Sequence, residues 1–238
     1  MRIRFYAELG DLLAPERRGR EFERACAARS SVKDLIEGLG VPHTEVDLIL
    51  VNGRSVGFGH QVQDGDRVSV YPVFEALDIS PIISLRPRPL RVTRFAADVH
   101  LGRLARYLRL AGFDTAYRTS WEDRELVDTA VAEQRILLTR DRGILMRAVV
   151  THGHLVRETR PRAQLREVLD RLDLWGGVEL FTRCSVCNAR VEPVRKEEVR
   201  SQLPPRTAER YDEFWRCTGC GRVYWQGAHF RSLSALFS

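Results

Sequence analysis

Hydrophobic and polar positions in the first 80 residues predict the order strand, strand, helix, strand, strand. Residues 3–7 alternate between the two classes, as in a strand with one buried face. A helix is predicted from the cap-like Ser31 to Leu39, with Gly40 as its stop. The apolar run 48–51 and the alternating run 67–71 predict two further strands. We therefore expect a first domain over residues 1–79.

A second pattern begins after residues 80–90, which contain three prolines and predict an extended linker. A strand over 92–97 is followed by a helix whose stripe Leu101, Leu104, Ala105 and Leu108 recurs at helical spacing up to Gly112. The elements predicted next are a strand at 115–117, a helix at 121–133, a strand at 136–139, a helix at 143–151, a strand at 154–157 and a helix after Pro161. This alternation predicts a parallel-sheet α/β domain over residues 91–176.

The charge distribution permits a polyanionic partner. The chain of 238 residues carries 38 basic and 32 acidic side chains, for a formal net charge of +6. Residues 1–80 hold 10 basic and 13 acidic side chains, whereas residues 81–238 hold 28 and 19. A nucleic-acid surface is therefore to be sought in the last two thirds of the chain.

Targeting signals are not evident in the sequence. The strand pattern begins at Met1, so we expect no signal peptide, and no apolar run approaches the roughly 20 residues of a membrane helix. Four of the five cysteines form CxxC pairs, which suits a metal in a reducing compartment better than disulfides. We expect a cytoplasmic protein with no membrane partner.

Three aspartates fall where an α/β sheet of this kind places its ligand site. Asp98 and Asp141 each follow a predicted parallel strand, and Asp123 lies in the first turn of the helix between them. Because the carboxyl ends of parallel strands share one edge, we expect these carboxylates to converge there. Carboxylates hold Mg²⁺ or Mn²⁺, and such an ion activates water for attack on a phosphodiester. The three aspartates are the predicted catalytic residues.

Each aspartate also has a purely structural explanation. Asp98 could cap the helix that follows it, and Asp141 could simply start a turn. Asp123 follows Ser120 by three residues, which also fits a capping box. Taken singly, these explanations are at least as good as the catalytic one. The joint placement of the three residues favours a metal-binding cluster.

Arginines near these acids are the candidates for holding RNA phosphates: Arg94, Arg103, Arg106 and Arg140. On the helix after Asp98, Arg103, Arg106 and Arg109 recur every three residues. For any one of them, a solvated face opposite the leucine stripe is the alternative.

Two CxxC pairs predict a zinc ribbon over residues 181–238. The predicted ligands are Cys184, Cys187, Cys217 and Cys220, with 29 residues between the pairs. Four thiolates close the tetrahedral shell of Zn²⁺, so the ion would be structural; two unrelated thiol pairs are the alternative. Aromatic residues nearby (Trp215, Tyr224, Trp225 and Phe230) could stack on RNA bases or build the ribbon core, and His229 has no predicted role.

Several phrases resemble the RNase domain named for the C-terminal part of the Mut-seven protein, a compact relative of PIN nucleases. They are Phe95–Asp98, Leu101–Asp114, Leu137–Asp141, Cys184–Asn188 and Tyr224–His229. The resemblance implies a PIN-like fold, ribonuclease activity and an RNA substrate, which we expect to be bound in single-stranded regions.

The first domain resembles the β-grasp, ubiquitin-like sulfur carriers of molybdopterin and thiamine biosynthesis. The matching phrases are Val51-Asn-Gly53, Asp64–Val68 and Tyr71-Pro72. Those carriers end in Gly-Gly, whereas here Pro72 is followed by Val-Phe-Glu-Ala76. We therefore expect this domain to act in docking or as a scaffold, with a possible protein partner.

Together these patterns predict an α/β protein with a β-grasp domain, a PIN-like domain and a Cys₄ zinc ribbon. The predicted function is divalent-metal-dependent hydrolysis of RNA phosphodiester bonds. PIN nucleases commonly present about four acids, and only three are identified here. A non-catalytic RNA-binding or adaptor protein is therefore the alternative.

Overall fold

The structure is a computed structural model that describes residues 1–25, 30–72, 93–227 and 234. The chain forms two compact units, one drawn from Met1–Val92 and Glu122–Leu155 and the other from Thr93–Trp121 and Val156–Ser238. The predicted linker at 80–90, His229 and Phe230 lie outside the described residues. Within the described ranges, no helix is long and apolar enough to cross a membrane.

The first unit begins with the predicted β-grasp sheet. Its strands are β1 (Arg2–Phe5), β2 (Phe22–Glu23), β3 (Val46–Val51), β4 (Arg54–Ser55) and β5 (Arg67–Pro72), in the order β2-β1-β5-β3-β4. The central strands β1 and β5 are parallel, and the other pairs are antiparallel. The predicted order of elements is confirmed, and the two-residue β4 is an addition to it. Alternation places Ile3, Phe5, Val68 and Val70 in the core.

A helix and three short 3-10 segments connect these strands. The helix is α1 (Val32–Glu37), and the 3-10 segments are Ala7–Leu12, Pro15–Arg17 and His43–Glu45. A capping box starts α1: Ser31 Oγ accepts from Asp34 N, and Asp34 Oδ2 accepts from Ser31 N, both at 3.1 Å. Hydrogen bonds from Ser31 also hold the pKa of Asp34 below its ordinary value. The predicted helix start is confirmed.

The second unit opens with a strand, a helix and a parallel strand. These are β6 (Arg94–Ala97), α2 (Gly102–Leu110) and β7 (Asp114–Ala116). The predicted stripe Leu101, Leu104, Ala105 and Leu108 is buried, and α2 ends just before Gly112. This part of the predicted pattern is confirmed.

Residues 122–155 return to the first unit. They form α3 (Asp123–Ala132), β8 (Ile136–Thr139), α4 (Arg142–Leu145) and β9 (Gly153–Leu155), with β8 and β9 parallel. The predicted extent of the helix at 143–151 is wrong, because α4 ends at Leu145. Val149, Val150 and Thr151 are β-branched, and such residues lose side-chain freedom in a helix.

The rest of the second unit contains a helix and a zinc-ribbon-like sheet. The elements are α5 (Pro161–Arg171), β10 (Val191–Val194), α6 (Lys196–Val199), α7 (Pro205–Arg210), β11 (Phe214–Cys217) and β12 (Val223–Tyr224). The last three strands form an antiparallel sheet in the order β10-β11-β12. Helices α6 and α7 account for the long spacing between the two CxxC pairs, since Val199 and Leu203 form a core there with Phe214.

We predict that Ser31→Ala lowers the free energy of unfolding by about 1 kcal/mol, because α1 loses its cap. Ser55→Ala is the control, since Ser55 Oγ is buried without a hydrogen bond. Urea denaturation at neutral pH measures both variants. Because the pKa of Asp34 is lowered in the folded protein, the Asp34 carboxylate stabilises the fold at pH values above its ordinary pKa. This stabilisation is lost as the pH falls through the lowered pKa. Equal losses in the two variants would contradict the capping role.

Candidate functional site

Asp98 stands directly after β6 and is buried. Its carbonyl accepts a hydrogen bond from Leu101 N at 2.8 Å, which starts a 3-10 turn over Val99–Leu101. Its carboxylate makes no capping bond to this turn. Capping therefore does not explain an aspartate at this position.

Asp141 has the structural role that was the alternative for it. Its Oδ1 accepts from Gly143 N at 2.7 Å, which caps α4, and its own N–H donates to Thr139 Oγ1 at 3.0 Å. The residue is exposed. An ionised carboxylate has about four acceptor positions. The cap bond to Oδ1 is therefore compatible with a metal ligand at the same residue.

Asp123 is the first residue of α3 and is exposed. The alternative role of Asp123 in a capping box with Ser120 is wrong, because Glu122 is the N-cap and forms a capping box with Glu125. The difference arises because the helix begins two residues later than predicted. Asp123 instead lies 3.5 Å from Arg147 Nη2, a loose ion pair at the surface.

The three acids do not all belong to one unit. Asp98 belongs to the second unit, whereas Asp123 and Asp141 belong to the first. The arginines Arg94, Arg103, Arg106 and Arg140 are all exposed. Arg109 differs, because its side chain is buried.

The four cysteines form a site that could hold a metal ion such as zinc. The sulfur atoms of Cys184, Cys187, Cys217 and Cys220 all lie within 4.8 Å of one another. Cys184 Sγ is 3.7 Å from Cys220 Sγ, and Cys187 Sγ is 3.3 Å from Cys217 Sγ. Bonds of about 2.3 Å in a tetrahedron place neighbouring sulfurs about 3.8 Å apart. The donor set and its dimensions therefore fit zinc.

Backbone and side-chain donors surround the sulfur atoms. Cys184 Sγ accepts from Cys187 N at 3.5 Å and lies 3.0 Å from the Tyr224 hydroxyl. Cys217 Sγ accepts from Gly219 N at 3.3 Å and from Cys220 N at 3.4 Å. A Cβ at Gly219 would lie only 2.8 Å from Ala189 Cβ, so the turn requires glycine. Such donors stabilise thiolate and orient it toward a metal.

The pKa values of the two cysteines of the first pair are shifted in opposite directions. Burial alone would raise the pKa of Cys184, but hydrogen bonds from Cys187 N and Tyr224 outweigh it and lower the pKa to about 6. Desolvation raises the pKa of Cys187 to about 12. Of these two thiols, Cys184 is therefore the one that loses its proton more readily.

Arg109 fastens the first CxxC turn to the strand-helix-strand part of the second unit. Its Nε donates to Thr115 O at 2.9 Å, and its Nη1 donates to Val186 O at 2.7 Å and to Ser185 O at 3.4 Å. Burial lowers the pKa of Arg109, while the nearby sulfurs of Cys184 and Cys187 oppose this lowering. A buried cation thus bridges α2, β7 and the metal-binding turn.

Asn188 makes a second connection between the same parts. Its Oδ1 accepts from Thr115 N at 3.0 Å, and its Nδ2 donates to Asp114 Oδ1 at 2.8 Å. Arg183 Nη2 lies 3.2 Å from the other oxygen of Asp114. The backbone of Asn188 is left-handed, with φ of 70°, a conformation that asparagine tolerates better than most residues. Neither Arg109 nor Asn188 was predicted as a site residue; only the position of Asn188 directly after the CxxC motif hinted at its role.

The aromatic residues of the ribbon pack inside it. Trp215 stacks on Phe181 with ring centroids 4.7 Å apart, and Trp215 and Tyr224 pack against the buried cluster of Cys184, Val191 and Cys217. Trp225 packs against the cluster that contains Phe214. The core alternative is therefore supported for these three partly buried residues.

We predict that purified protein binds about one zinc ion per chain, because four thiolates close one tetrahedral shell. Cys184→Ser should abolish stoichiometric binding and destabilise the second unit, while the β-grasp sheet of the first unit keeps its structure. Elemental analysis and limited proteolysis test both parts. A protease-resistant second unit in zinc-free protein would show that the metal is dispensable.

We also predict that Arg109→Met lowers the free energy of unfolding by at least about 2 kcal/mol, since three carbonyls lose a charged donor. The same variant should lose zinc to a competing chelator more readily than the wild type. Arg106→Met is the control, because Arg106 lies on the same helix and is exposed. Equal behaviour of the two variants in thermal melts and chelator competition would exclude the bridging role of Arg109.

Two known family models match the chain, one in each of two consecutive parts. The sequence model described as the Mut7-C RNAse domain matches residues 93–237, and the one described as Mut7-C ubiquitin matches residues 1–78. No curated protein and no solved structure matches the chain.

Proposed function

The chain belongs to the Mut7-C RNAse domain family, and on this basis we propose that it is a divalent-metal-dependent ribonuclease. The observation that carries the proposal is Asp98, a buried carboxylate that follows a parallel strand and makes no capping bond. An acidic residue at the carboxyl end of a parallel strand lies where open α/β sheets form their ligand sites.

In the proposed reaction, Asp98, Asp123 and Asp141 supply the carboxylate ligands for Mg²⁺ or Mn²⁺. The ion supplies an activated water and compensates charge on the phosphodiester when it is bound. Asp141 remains a helix cap through Oδ1 while it ligates. Asp123 would exchange its loose surface ion pair with Arg147 for the metal ion.

RNA is the proposed substrate, held through its phosphates. Arg94, Arg103, Arg106 and Arg140 are exposed and available for such contacts. Single-stranded regions are favoured, because their flexible backbone can follow the arginines. The residues after position 80 also hold the excess of basic over acidic side chains.

Two further parts of the proposal concern the metal and the compartment. We propose that the ion at the four cysteines is zinc and is structural, since the closed shell leaves no position for substrate. The reducing cytoplasm is the proposed location, because none of these four cysteines is in a disulfide.

A second function is favoured by the positions of the other two acids. Asp141 caps a helix and Asp123 pairs with an arginine, and both are exposed. Each thus has a structural role without a metal. A protein that binds RNA as an adaptor and does not cut it is therefore the second candidate.

We predict that Asp98→Asn lowers cleavage by at least about two orders of magnitude, because the metal loses a charged ligand. RNA binding should be retained, since a source of repulsion toward phosphate is gone. Asp141→Asn should also lose activity with little change in melting temperature, because asparagine caps helices as well as aspartate does. Asp128→Asn is the control, since Asp128 is an exposed residue of α3 whose ion pair is with Arg124.

The measurement is RNA cleavage with Mn²⁺ or Mg²⁺ against an EDTA control, together with RNA affinity at several salt concentrations. Steep loss of affinity with salt would be expected for phosphate contacts. If the wild-type protein binds RNA but shows no metal-dependent cleavage, the ribonuclease proposal is wrong and the adaptor function replaces it.

A further inference from the structure

A guanidinium next to Asp141 reaches the β-grasp sheet region. Arg142 Nη1 donates to Leu12 O at 3.0 Å and to Gly40 O at 3.2 Å. These bonds span 130 and 102 residues of sequence, respectively, within the first unit. Arg142 is the first residue of α4, and Asp141 is its N-cap. The residue that anchors this turn is thus the neighbour of a proposed metal ligand.

The two acceptors are suited to a cation. Leu12 ends a 3-10 helix, and Gly40 follows the C-terminus of α1. As the last residue of its segment, Leu12 has a carbonyl without a partner in the ongoing helix and with partial negative charge. Gly40 lies three residues beyond the last residue of α1. Gly40 has a φ of 88°, and a Cβ there would lie 3.1 Å from Arg142 Nη1. The predicted stop of α1 at Gly40 is wrong, because the helix ends at Glu37. The positive φ and the close approach of the guanidinium are what favour glycine at this position.

Buried polar contacts fix the strand and loop that follow α4. His43 Nε2 lies 2.9 Å from Val150 O, while its Nδ1 lies 2.7 Å from Glu37 Oε1. A carbonyl only accepts, so Nε2 carries a proton and donates it to Val150 O. Glu45 Oε1 accepts from Leu155 N at 2.7 Å and lies 3.3 Å from His154 Nδ1. His43, Glu45 and His154 are all buried, so these contacts hold β9 firmly.

The helix that carries Asp141 needs such support. It has four residues, and a single helical turn is not stable alone because nucleation costs more than one turn returns. The cap bond from Gly143 N to Asp141 fixes the carboxylate only while the turn is formed. The hydrogen bonds of Arg142 therefore stabilise the turn, and with it the orientation of the Asp141 carboxylate.

We propose that the β-grasp domain is a fixed positioning element for the turn that carries Asp141, and that Arg142 is the positioning residue. The inference rests on the proposed ribonuclease function in assigning Asp141 to the metal. It gives the ubiquitin-like domain an intramolecular role in the reaction. A partner protein that uses the domain as its docking site is the competing role and an outcome of the test.

The variants are Arg142→Gln, Arg142→Lys and Gly40→Ala in the full chain, with Arg124→Gln as the control. Arg124 is exposed on α3 and pairs only weakly with Asp128 at 3.7 Å. Arg142→Gln should raise the Mn²⁺ concentration for half-maximal cleavage about tenfold and lower kcat, with RNA affinity unchanged. Arg142→Lys should recover part of the effect, because the charge returns without the planar fork.

A merely structural role would lower the melting temperature without moving the Mn²⁺ dependence. If the Arg142→Gln variant cleaves RNA with the Mn²⁺ dependence and kcat of the wild type, the proposal is overturned. This result is expected if the β-grasp domain is instead a docking site for a partner protein. If the wild-type protein cleaves no RNA, the proposed ribonuclease function is wrong, and the role of Arg142 is then tested by the second measurement alone.

A second measurement tests the positioning independently of cleavage. Hydrogen exchange of the amides in residues 140–146 should be about tenfold faster in Arg142→Gln and in Gly40→Ala than in the wild type, and unchanged in Arg124→Gln. Unaltered protection of this segment in both variants would overturn the proposal even if the protein cleaves no RNA.

Discussion

Four sulfur atoms within 4.8 Å of one another are the constraint around which the second unit is arranged. Thiolates this close repel strongly, so the cluster requires positive charge inside and around it. Backbone N–H groups of Cys187, Gly219 and Cys220 point at the sulfurs. Arg109 adds a full charge from the adjacent helix and, through the carbonyls of the first CxxC turn, joins the cluster to the strand that lies beyond it. The metal site and the strand-helix-strand part of this unit are thus one polar network.

The sequence predicted α2 well and Arg109 poorly, and both outcomes follow from helix geometry. Leu101, Leu104, Ala105 and Leu108 keep to one face, so their burial could be expected. Arginines at every third position do not keep to one face, because three residues turn about 300°, or 60° short of a full turn. By Arg109 the series has rotated toward the leucine stripe, and the side chain is buried. The regular spacing had suggested one common solvated face for all three arginines.

The proposed catalytic acids show a similar division. Their positions after a strand or at the start of a helix could be predicted, because these follow from the order of elements. The hydrogen-bond partners of each carboxylate could not be predicted, since they change when a helix starts one or two residues earlier or later. Asp141 proved to be a cap, whereas Asp123 lost the cap role to Glu122. The helix at 143–151 was overextended because its β-branched end carried no glycine or proline signal. The roles of Arg142 and Gly40 depend on contacts 102 residues apart, which no local pattern encodes.

The insertion between the two CxxC pairs changes what a metal ion has to accomplish. If the segment between the two pairs were unstructured, a metal ion would have to close a long loop. The entropic cost of closing a loop rises with its length. Here Val199 and Leu203 pack on Phe214, and pairing of Val191 with Cys217 brings the second pair of thiols back beside the first. Packing and strand pairing thus bring the two pairs of thiols together. A metal ion bound at the four cysteines would join sulfur atoms that the chain already holds close together, so its affinity would depend more on sulfur geometry than on loop closure.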